Sequence, residues 1–511
     1  MIFTLSNLRF PVRRNYDLQR EIARKLRIPA HAFELIQILR QAVDTRKFDS
    51  PIYDFSVLLD IDSSPVSNRD LAIYGKLTLP ENIPVDCEDP HPYIIGMGPS
   101  ALFCALGMVK SGFKPCLFDR GDEITKRAEC VERFWSDGTL DEDSNVQFGE
   151  GGAGTFSDGK LTSRSKDPIV QEVFELMIGF GAPPEIAYEA LPHLGTDGIR
   201  ALVIKIRKHL LELGCRFFYR HTLQDIDLQG NKIRSATING EKHRPETVIL
   251  APGNAARDTF AMLHKRGVSL ESKPFSVGFR IEQTQATINR NIYGSERWAQ
   301  ILGPASYRLT DKNSGSYTFC MCPGGMVIGA ASEKTGIVTN GMSFSTRNNK
   351  WCNSGVVTGV DEKDFGNGLF DGIFFQKHLE QKAFLAGYQA PVQAATDFVR
   401  GSYNSQPQSN SFRPGTWCCD FSTLFPDGVV QKLKSALQKF DQIINGFFGD
   451  ALLIAPETRT SSPIRIVRDR NLMHSVSASN LYPVGEGSGY SGGIISSAAD
   501  GLRLGNRFKI R

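Results

Sequence analysis

The sequence predicts an α/β protein: a parallel-sheet domain with helices on both faces, interrupted by an α+β domain and preceded by a small α/β module. Three observations carry this. The apolar run Tyr93-Ile94-Ile95 meets Gly96-Met97-Gly98-Pro99-Ser100-Ala101, a helical stretch follows to Val109, and a second apolar run, Pro115 to Phe118, ends in Asp119-Arg120-Gly121. That is a complete βαβ unit. Two more apolar strands running into glycine turns, Val248 to Gly253 and Leu481 to Gly487, lie far downstream, and the last is followed by a helix that opens at Gly492-Gly493-Ile494-Ile495. Between them, residues 270–450 mix strands and helices around Gly and Asn turns. The expected divisions are 1–90 for the module, 91–268 for the first part of the parallel-sheet domain, 269–452 for the inserted domain and 453–511 for the returning C-terminal part.

In the module, Ile2 to Phe10 reads as a strand, Asp17 caps a helix over Leu18–Leu26, Phe33 to Val43 repeats helical apolar spacing, and Tyr53 to Ile61 reads as a strand. Asp62 to Pro92 is polar and contains proline, as a linker or covering loop would. Residues 170–190 and Ile199 to Leu213 read as helices. Short alternating strands occupy Cys215 to Leu250, with turns at Gln229-Gly230-Asn231 and Asn239-Gly240.

Composition narrows the function classes. A net charge of +4 is too small for a nucleic-acid protein identified on charge alone, where clustered Lys/Arg and a high pI are expected. The charge is uneven, however: residues 1–50 carry ten Lys/Arg against five Asp/Glu, and residues 51–90 carry two against eight. A basic face followed by an acidic linker accounts for this, and a docking surface for an acidic protein partner on the N-terminal module is the alternative. Ten cysteines in 511 residues do not make a disulfide framework, so buried thiols in a reducing compartment are expected. The N-terminus lacks the apolar core of a signal peptide and no apolar run is long enough for a bilayer, so the expected location is cytoplasmic, with no membrane partner.

Gly-x-Gly-x-x-Gly/Ala has a mechanism behind it. The first glycine makes the tight turn out of the strand, the second lets backbone approach a pyrophosphate, and the third small residue lets the helix pack on the sheet. Gly96, Gly98 and Ala101 fill these places, and Ser100 adds a hydroxyl. The helix N-terminus then offers free N–H groups and a positive dipole end to phosphate. Asp119, with Arg120 beside it, stands 23 residues after Gly96, near the spacing at which a carboxylate meets ribose hydroxyls. This is a Rossmann-like FAD/NAD(P)-binding domain by pattern.

Three other stretches favour FAD over NAD. The strand ending in Ala251-Pro252-Gly253 resembles the one that returns beneath the cofactor in two-dinucleotide-binding-domain flavoproteins. The segment Val484-Gly485-Glu486-Gly487 resembles their strand–Gly–acid motif for the ribityl chain, with Glu486 where Asp is usual. The helix after Gly493-Ile494 could turn its first N–H groups to the flavin. No second Gly-x-Gly-x-x-Gly follows a strand. A separate NAD(P)H domain is therefore not expected, although NAD(P)H could serve as an external reductant.

The stretch Ser144-Asn145-Val146-Gln147-Phe148-Gly149-Glu150-Gly151-Gly152-Ala153-Gly154-Thr155-Phe156-Ser157-Asp158-Gly159-Lys160-Leu161 resembles the signature of a bacterial FAD-dependent dehydrogenase family. Lys273 to Arg280, Phe319-Cys320-Met321-Cys322-Pro323-Gly324-Gly325, Glu457 to Pro463 and Gly485 to Tyr490 match it too. The resemblance spans nearly the whole chain and implies FAD and this architecture, but no particular reaction. The chain departs from the pattern at Asn254 and at Gln283, where the family carries histidine, which weakens any acid/base role at those positions.

Backbone N–H groups of the Gly149–Leu161 loop, at Gly152, Gly154 and Thr155, could wrap the cofactor. No histidine stands where covalently flavinylated relatives carry one, so the FAD should be non-covalent. Lys160 could stabilise reduced flavin or hold an anionic substrate, or be a solvated lysine. Arg459 could grip a substrate carboxylate, or simply pair with Glu457 or another acid. Cys320-Met321-Cys322 reads first as a packed strand with thiols on one face, and second as a redox pair. No histidine or cysteine spacing suggests a metal site, and His193 reads as a satisfied polar residue. The expected function is an FAD-dependent oxidoreductase acting on a small, carboxylate-bearing molecule. The alternatives are a flavoprotein of RNA modification or RNA binding, and a low-turnover flavin-bearing scaffold.

Overall fold

The computed structural model describes residues 1–61, 68–75, 83–162, 167–385, 387–404 and 409–510. In the N-terminal module the Asp17 side chain accepts from the Arg20 amide and starts the helix Leu18–Leu26, which ends at Arg27 in a left-handed conformation. This helix packs on an antiparallel sheet of order Phe33–Asp44, Ile52–Ile61, Ile2–Pro11, Leu71–Ile73. The helical reading of Phe33–Val43 is therefore wrong: the segment is a strand paired along Ile52–Ile61. Irregularities at Leu35/Gln37 and Ile38/Arg40 shift its register. Each extra residue resets the alternation of faces, and the apolar spacing of a bulged strand then imitates that of a helix.

The expected linker over 62–92 is only partly described. Within it, Leu71–Ile73 joins the module's sheet, and Val85–Cys87 pairs in parallel with the last strand, Phe508–Ile510. The 90/91 boundary thus leaves one short strand on the wrong side.

Five parallel strands form the second sheet, in the order Leu481–Pro483, Val248–Leu250, Tyr93–Ile95, Cys116–Asp119, Arg216–Tyr219. Apart from the terminal Asp119, the three central ones are apolar without alternation, as strands covered on both faces must be; Val248, Ile249 and Leu250 are fully buried. On one face the helices Pro99–Val109 and Ile494–Gly505 cross at small residues. A Cβ on Gly501 would lie 1.9 Å from the Ser100 carbonyl oxygen, and one on Gly505 would lie 2.2 Å from that of Cys104. The C-terminus of the chain is thereby locked onto the helix that follows the first glycine turn.

A seven-stranded sheet forms the inserted part, in the order Thr310–Asp311, Ser316–Cys322, Trp351–Val360, Phe275–Thr284, Leu452–Glu457, Ala390–Ala394, Thr416–Cys418. The boundary expected at 452/453 falls inside it, because the strand Leu452–Glu457 pairs with Phe275–Thr284. Among the described residues the only sheet of parallel dinucleotide-binding type is the five-stranded one. All ten cysteines are free thiols.

Candidate functional site

The site begins where the central strand Tyr93–Ile95 ends. Gly96 has φ +104°, and a Cβ there would lie 2.1 Å from the Ala251 carbonyl oxygen, so only glycine lets the chain turn past the neighbouring strand. Two residues on, Gly98 begins the helix Pro99–Val109 with no side-chain cap. Among the described residues the amides of Gly98, Ser100 and Ala101 donate to no acceptor. A Cβ on Gly98 would meet nothing closer than the Gly152 Cα at 3.8 Å.

The glycine-rich loop lies against this turn. A Cβ on Gly152 would stand 3.0 Å from the Gly98 Cα, and one on Gly154 would stand 2.9 Å from Ile494, at the start of the C-terminal helix. From the other side, a Cβ on Gly485 would press 2.4 Å from the Ser100 hydroxyl, and one on Gly487 would press 2.2 Å from the Gly253 carbonyl oxygen. Segments 96–101, 149–155, 251–254 and 485–494 therefore converge at glycines, against backbone at Gly96, Gly152 and Gly487 and against the Ile494 and Ser100 side chains at Gly154 and Gly485. Gly253, Gly492 and Gly493 face open space. Gly493 begins the helix Ile494–Gly505 without a side-chain cap, and the Ile494 and Ile495 amides donate to no acceptor among the described residues.

A buried arginine that the sequence did not single out shapes the loop. Arg127, on the helix Ile124–Asp137, is fully buried. Its Nε donates to the Asn145 carbonyl and its Nη2 to that of Val146. Its Nη1 serves the Gly149, Glu150 and Gly152 carbonyls and the Thr155 hydroxyl at 2.6–3.3 Å. The loop's own N–H groups are largely spent as well: Gly151 donates to the Met97 carbonyl at 2.8 Å, Gly152 to that of Gly149 at 3.0 Å and Thr155 to that of Gly152 at 3.3 Å, so the Gly152 and Thr155 amides expected at the cofactor already have acceptors. Burial pulls the Arg127 pKa down, and nearby Asp119 and Glu150 oppose that pull. Glu150 is buried as well; it accepts from the Ile124 amide at 2.8 Å and from Arg207 at 2.9 Å. No local motif marks Arg127, which reads in sequence as an ordinary helix arginine.

Several expected site residues have other duties. Asp119 spends its two carboxylate oxygens on the amides of Met97 (2.9 Å) and Gly121 (2.8 Å), so it anchors the turn instead of standing free for a ribose. Burial raises its pKa. Arg120 pairs with Asp258 at 2.7 Å and lies over the Phe148 ring at 4.4 Å. The Thr155 hydroxyl donates back to Gly152 at 2.7 Å. Glu486 accepts from Asn254 at 2.6 Å, and burial raises its pKa too.

The two candidate catalytic cations need correction. Arg459 does not offer a free fork: Glu380 takes it at 3.0 and 3.1 Å and Ser332 accepts at 2.5 Å, so the carboxylate-gripping reading gives way to the alternative of pairing with an acid, here Glu380 and not Glu457. Glu380 also takes Arg257 at 2.9 and 3.0 Å, and its carboxyl is held down to about 2, burial being outweighed by the two arginines. Lys160 donates its ammonium to the Met321 carbonyl and stands 4.0 Å from Asp158, so it reaches the inserted sheet. His193 contacts the Ser345 carbonyl through Nε2 at 3.3 Å.

Fold and turn together define an α/β protein with a dinucleotide-type glycine turn closed over by its own C-terminal helix. Residues 274–460 match the family model described as FAD-dependent protein, C-terminal domain-like. The chain is 38% identical over 505 residues to a protein of Clostridium beijerinckii named only "Uncharacterized protein", covering 95% of this chain and 94% of that one. The chain belongs to this family of FAD-dependent proteins. Among solved structures it is similar to L-proline dehydrogenase from P. horikoshii (10% identity, 82% of this chain and 92% of that chain, TM-score 0.37). It is also similar to glycine oxidase from Geobacillus kaustophilus (12% identity, 82% and 94%, TM-score 0.36). Among the described residues, no helix is long and apolar enough to cross a membrane.

Proposed function

We propose that the protein is an oxidoreductase that holds FAD non-covalently in the cleft between the Gly96–Ala101 turn, the Gly149–Thr155 loop and the Gly485–Ile494 segment. One observation carries this reading: the amides of Gly98, Ser100 and Ala101 donate to no acceptor among the described residues, and a Cβ on Gly98 would meet nothing closer than the Gly152 Cα at 3.8 Å. Buried backbone N–H groups are almost always paired, so an acceptor belongs there, and a pyrophosphate at a helix N-terminus supplies it. Gly98 and Gly152 let backbone approach the phosphates, Arg127 holds the loop in shape, and Asp119 fixes the turn. The Ile494 and Ile495 amides at the second helix start are placed to stabilise negative charge. Bound flavin supplies two-electron exchange at its N5. The substrate is a small molecule reaching the cleft from the side of the inserted sheet. Because Arg459 and Lys160 already have partners, neither is assigned to a substrate carboxylate.

The test is the purified full-length protein. It should show an oxidised-flavin spectrum, and denaturation should release intact FAD. Colourless protein that takes up no added FAD would refute the reading. Anaerobic addition of NAD(P)H and then of a metabolite panel identifies the reductant and the substrate by bleaching.

A second reading, binding of RNA through the N-terminal module, is favoured by one feature. Arg13, Arg20, Arg24 and Arg27 outnumber Asp17 and Glu21 around a groove of about 930 Å³ at Tyr16, although Glu21 pairs with Arg24 at 2.5 Å and Arg13 at 3.8 Å. Retention of tRNA that falls steeply with salt would support it, and its absence at low salt would exclude it.

A further inference from the structure

We infer that Cys320 and Cys322 form a redox-active dithiol that closes to a disulfide by exchange with a small external disulfide. The inference stands apart from the flavin reading. It rests on how the Cys-x-Cys segment is built into the sheet.

A regular strand would carry these two thiols side by side on one face and hold them apart. Here the ladder between Ser316–Cys322 and Trp351–Val360 breaks between Phe319 and Cys322, and Cys320 has a left-handed φ of +43°. The kink folds the segment back, so the Cys322 thiol lies 3.2 Å from the Cys320 carbonyl oxygen. Two cations clamp the kinked backbone. Arg280 donates through Nη2 to the Cys320 carbonyl at 2.8 Å and lies 3.6 Å from the Cys322 sulfur, and Lys160 donates to the carbonyl of the intervening Met321. Cys322 is fully buried and Cys320 only partly so, which suits Cys320 to attack and Cys322 to resolve.

The surrounding charges favour a thiolate at Cys320. The facing thiol of Cys322, then Lys160 and Arg280, hold the Cys320 pKa down, against burial and Asp158, while burial and the Cys320 sulfur push Cys322 up. Charged and titratable groups come from every side. Lys160 and Asp158 stand on the glycine-loop segment, Arg280 and Glu457 on the neighbouring strands, and Arg347, which pairs with Asp158 at 2.7 Å, and His193 stand behind them. Arg280 is shared with Glu457 and Arg347 pairs with Asp158, so three cations face two carboxylates and Lys160, 4.0 Å from Asp158, is the positive charge left in excess.

The exchange balances without any other reagent. The Cys320 thiolate attacks one sulfur of R–S–S–R, forming a mixed disulfide and expelling RS⁻, which takes up the proton that Cys320 lost. Cys322 then attacks the Cys320 sulfur, the Cys320–SR bond breaks, and the second RS⁻ leaves with the Cys322 proton. The external disulfide is reduced by two electrons to two thiols, and the protein dithiol is oxidised by two. Lys160 and Arg280 act as positioning residues.

The experiment treats the full-length protein with oxidised glutathione, quenches it in acid, alkylates it and digests it with trypsin. The peptide Asn313–Lys334 contains Cys320 and Cys322 and no other cysteine. It should lose two hydrogens before any of the other eight thiols reacts. Cys322→Ser should trap glutathione on Cys320, and Cys320→Ser should leave the peptide unmodified. Iodoacetamide at pH 7 should alkylate Cys320 at least about tenfold faster than the buried thiols. Lys160→Gln should slow that reaction and move its pH profile upward, and Lys160→Arg should restore it. A peptide that stays reduced until the other cysteines oxidise, or a Cys320 no faster than they are, would overturn the inference. Flavin absorbance of the same samples separates the two readings. Yellow protein with an inert pair refutes only the dithiol, and colourless protein with a responsive pair refutes only the cofactor.

Discussion

Gly98 gives the sharpest test of the cofactor cleft, because the protein itself leaves room for a side chain there. A Cβ at Gly98 would lie 3.8 Å from its nearest neighbour, the Gly152 Cα, which is ordinary contact, and the residue's φ of −75° suits any amino acid. Gly98→Ala therefore creates no clash within the chain. Its cost is the poorer helix N-cap, about 1 kcal/mol or less, a shift of only a few degrees in Tm for a protein of this size. The added methyl group does occupy the place where a pyrophosphate would approach the backbone. Displacing the phosphate from three amides should weaken FAD binding at least about 100-fold, or roughly 2.7 kcal/mol, and Gly98→Val should abolish it. Gly96→Ala is the control: its Cβ would stand 2.1 Å from the Ala251 carbonyl oxygen at a φ of +104°, so the fold itself should suffer, by about 3 kcal/mol or more. The assay is flavin absorbance per protein together with fluorescence titration of apoprotein by FAD, read beside thermal unfolding. A Gly98→Ala protein that binds FAD as tightly as the wild type would refute the reasoning, because the amides would then face something other than phosphate.

Arg127→Met removes the donors that hold six loop acceptors and should cost about 3 kcal/mol or more, with early proteolysis around residues 145–155 and loss of FAD; unchanged denaturant stability would show that the loop holds its shape unaided. Glu380→Ala strands Arg257 and Arg459 in the interior and should lower the unfolding free energy by about 3–5 kcal/mol, measured in urea. Burial, with Arg347 adding to it, lowers the His193 pKa from 6.5 to about 4. A depressed folded pKa means that the unfolded chain takes the proton first. Stability is therefore fully present above pH 6.5 and falls as the pH drops toward 4, by up to about 3 kcal/mol. His193→Gln, compared with the wild type across that window, should remove this part of the acid sensitivity, and parallel pH curves would count against it.

Much of the nucleotide-type half was legible in the residues. The Gly96–Ala101 turn, its two flanking strands and the strands at 248–250 and 481–483 are short, apolar and ended by glycine, and each feature has a local cause that sequence carries. The strand Phe33–Asp44 was not legible, because its bulges disguise the alternation and only its pairing with Ile52–Ile61 reveals it. Nor were the partners of Arg459 and Lys160, since Glu380 and Met321 lie 79 and 161 residues away in the chain. The Cys320 kink was hidden for the same reason: the cations that clamp it come from other elements.

By itself the sequence determined that a strand turns through glycine into a helix at residues 96–101 and that two similar turns recur near residues 250 and 490. Turns and short strands follow from φ preferences and local burial, which nearest neighbours dictate. Only the tertiary structure decided that these turns meet, that Arg127 draws the glycine loop over them, and that the two expected catalytic cations are already paired. Those outcomes depend on which charges share a low-dielectric interior, and distance along the chain does not encode that.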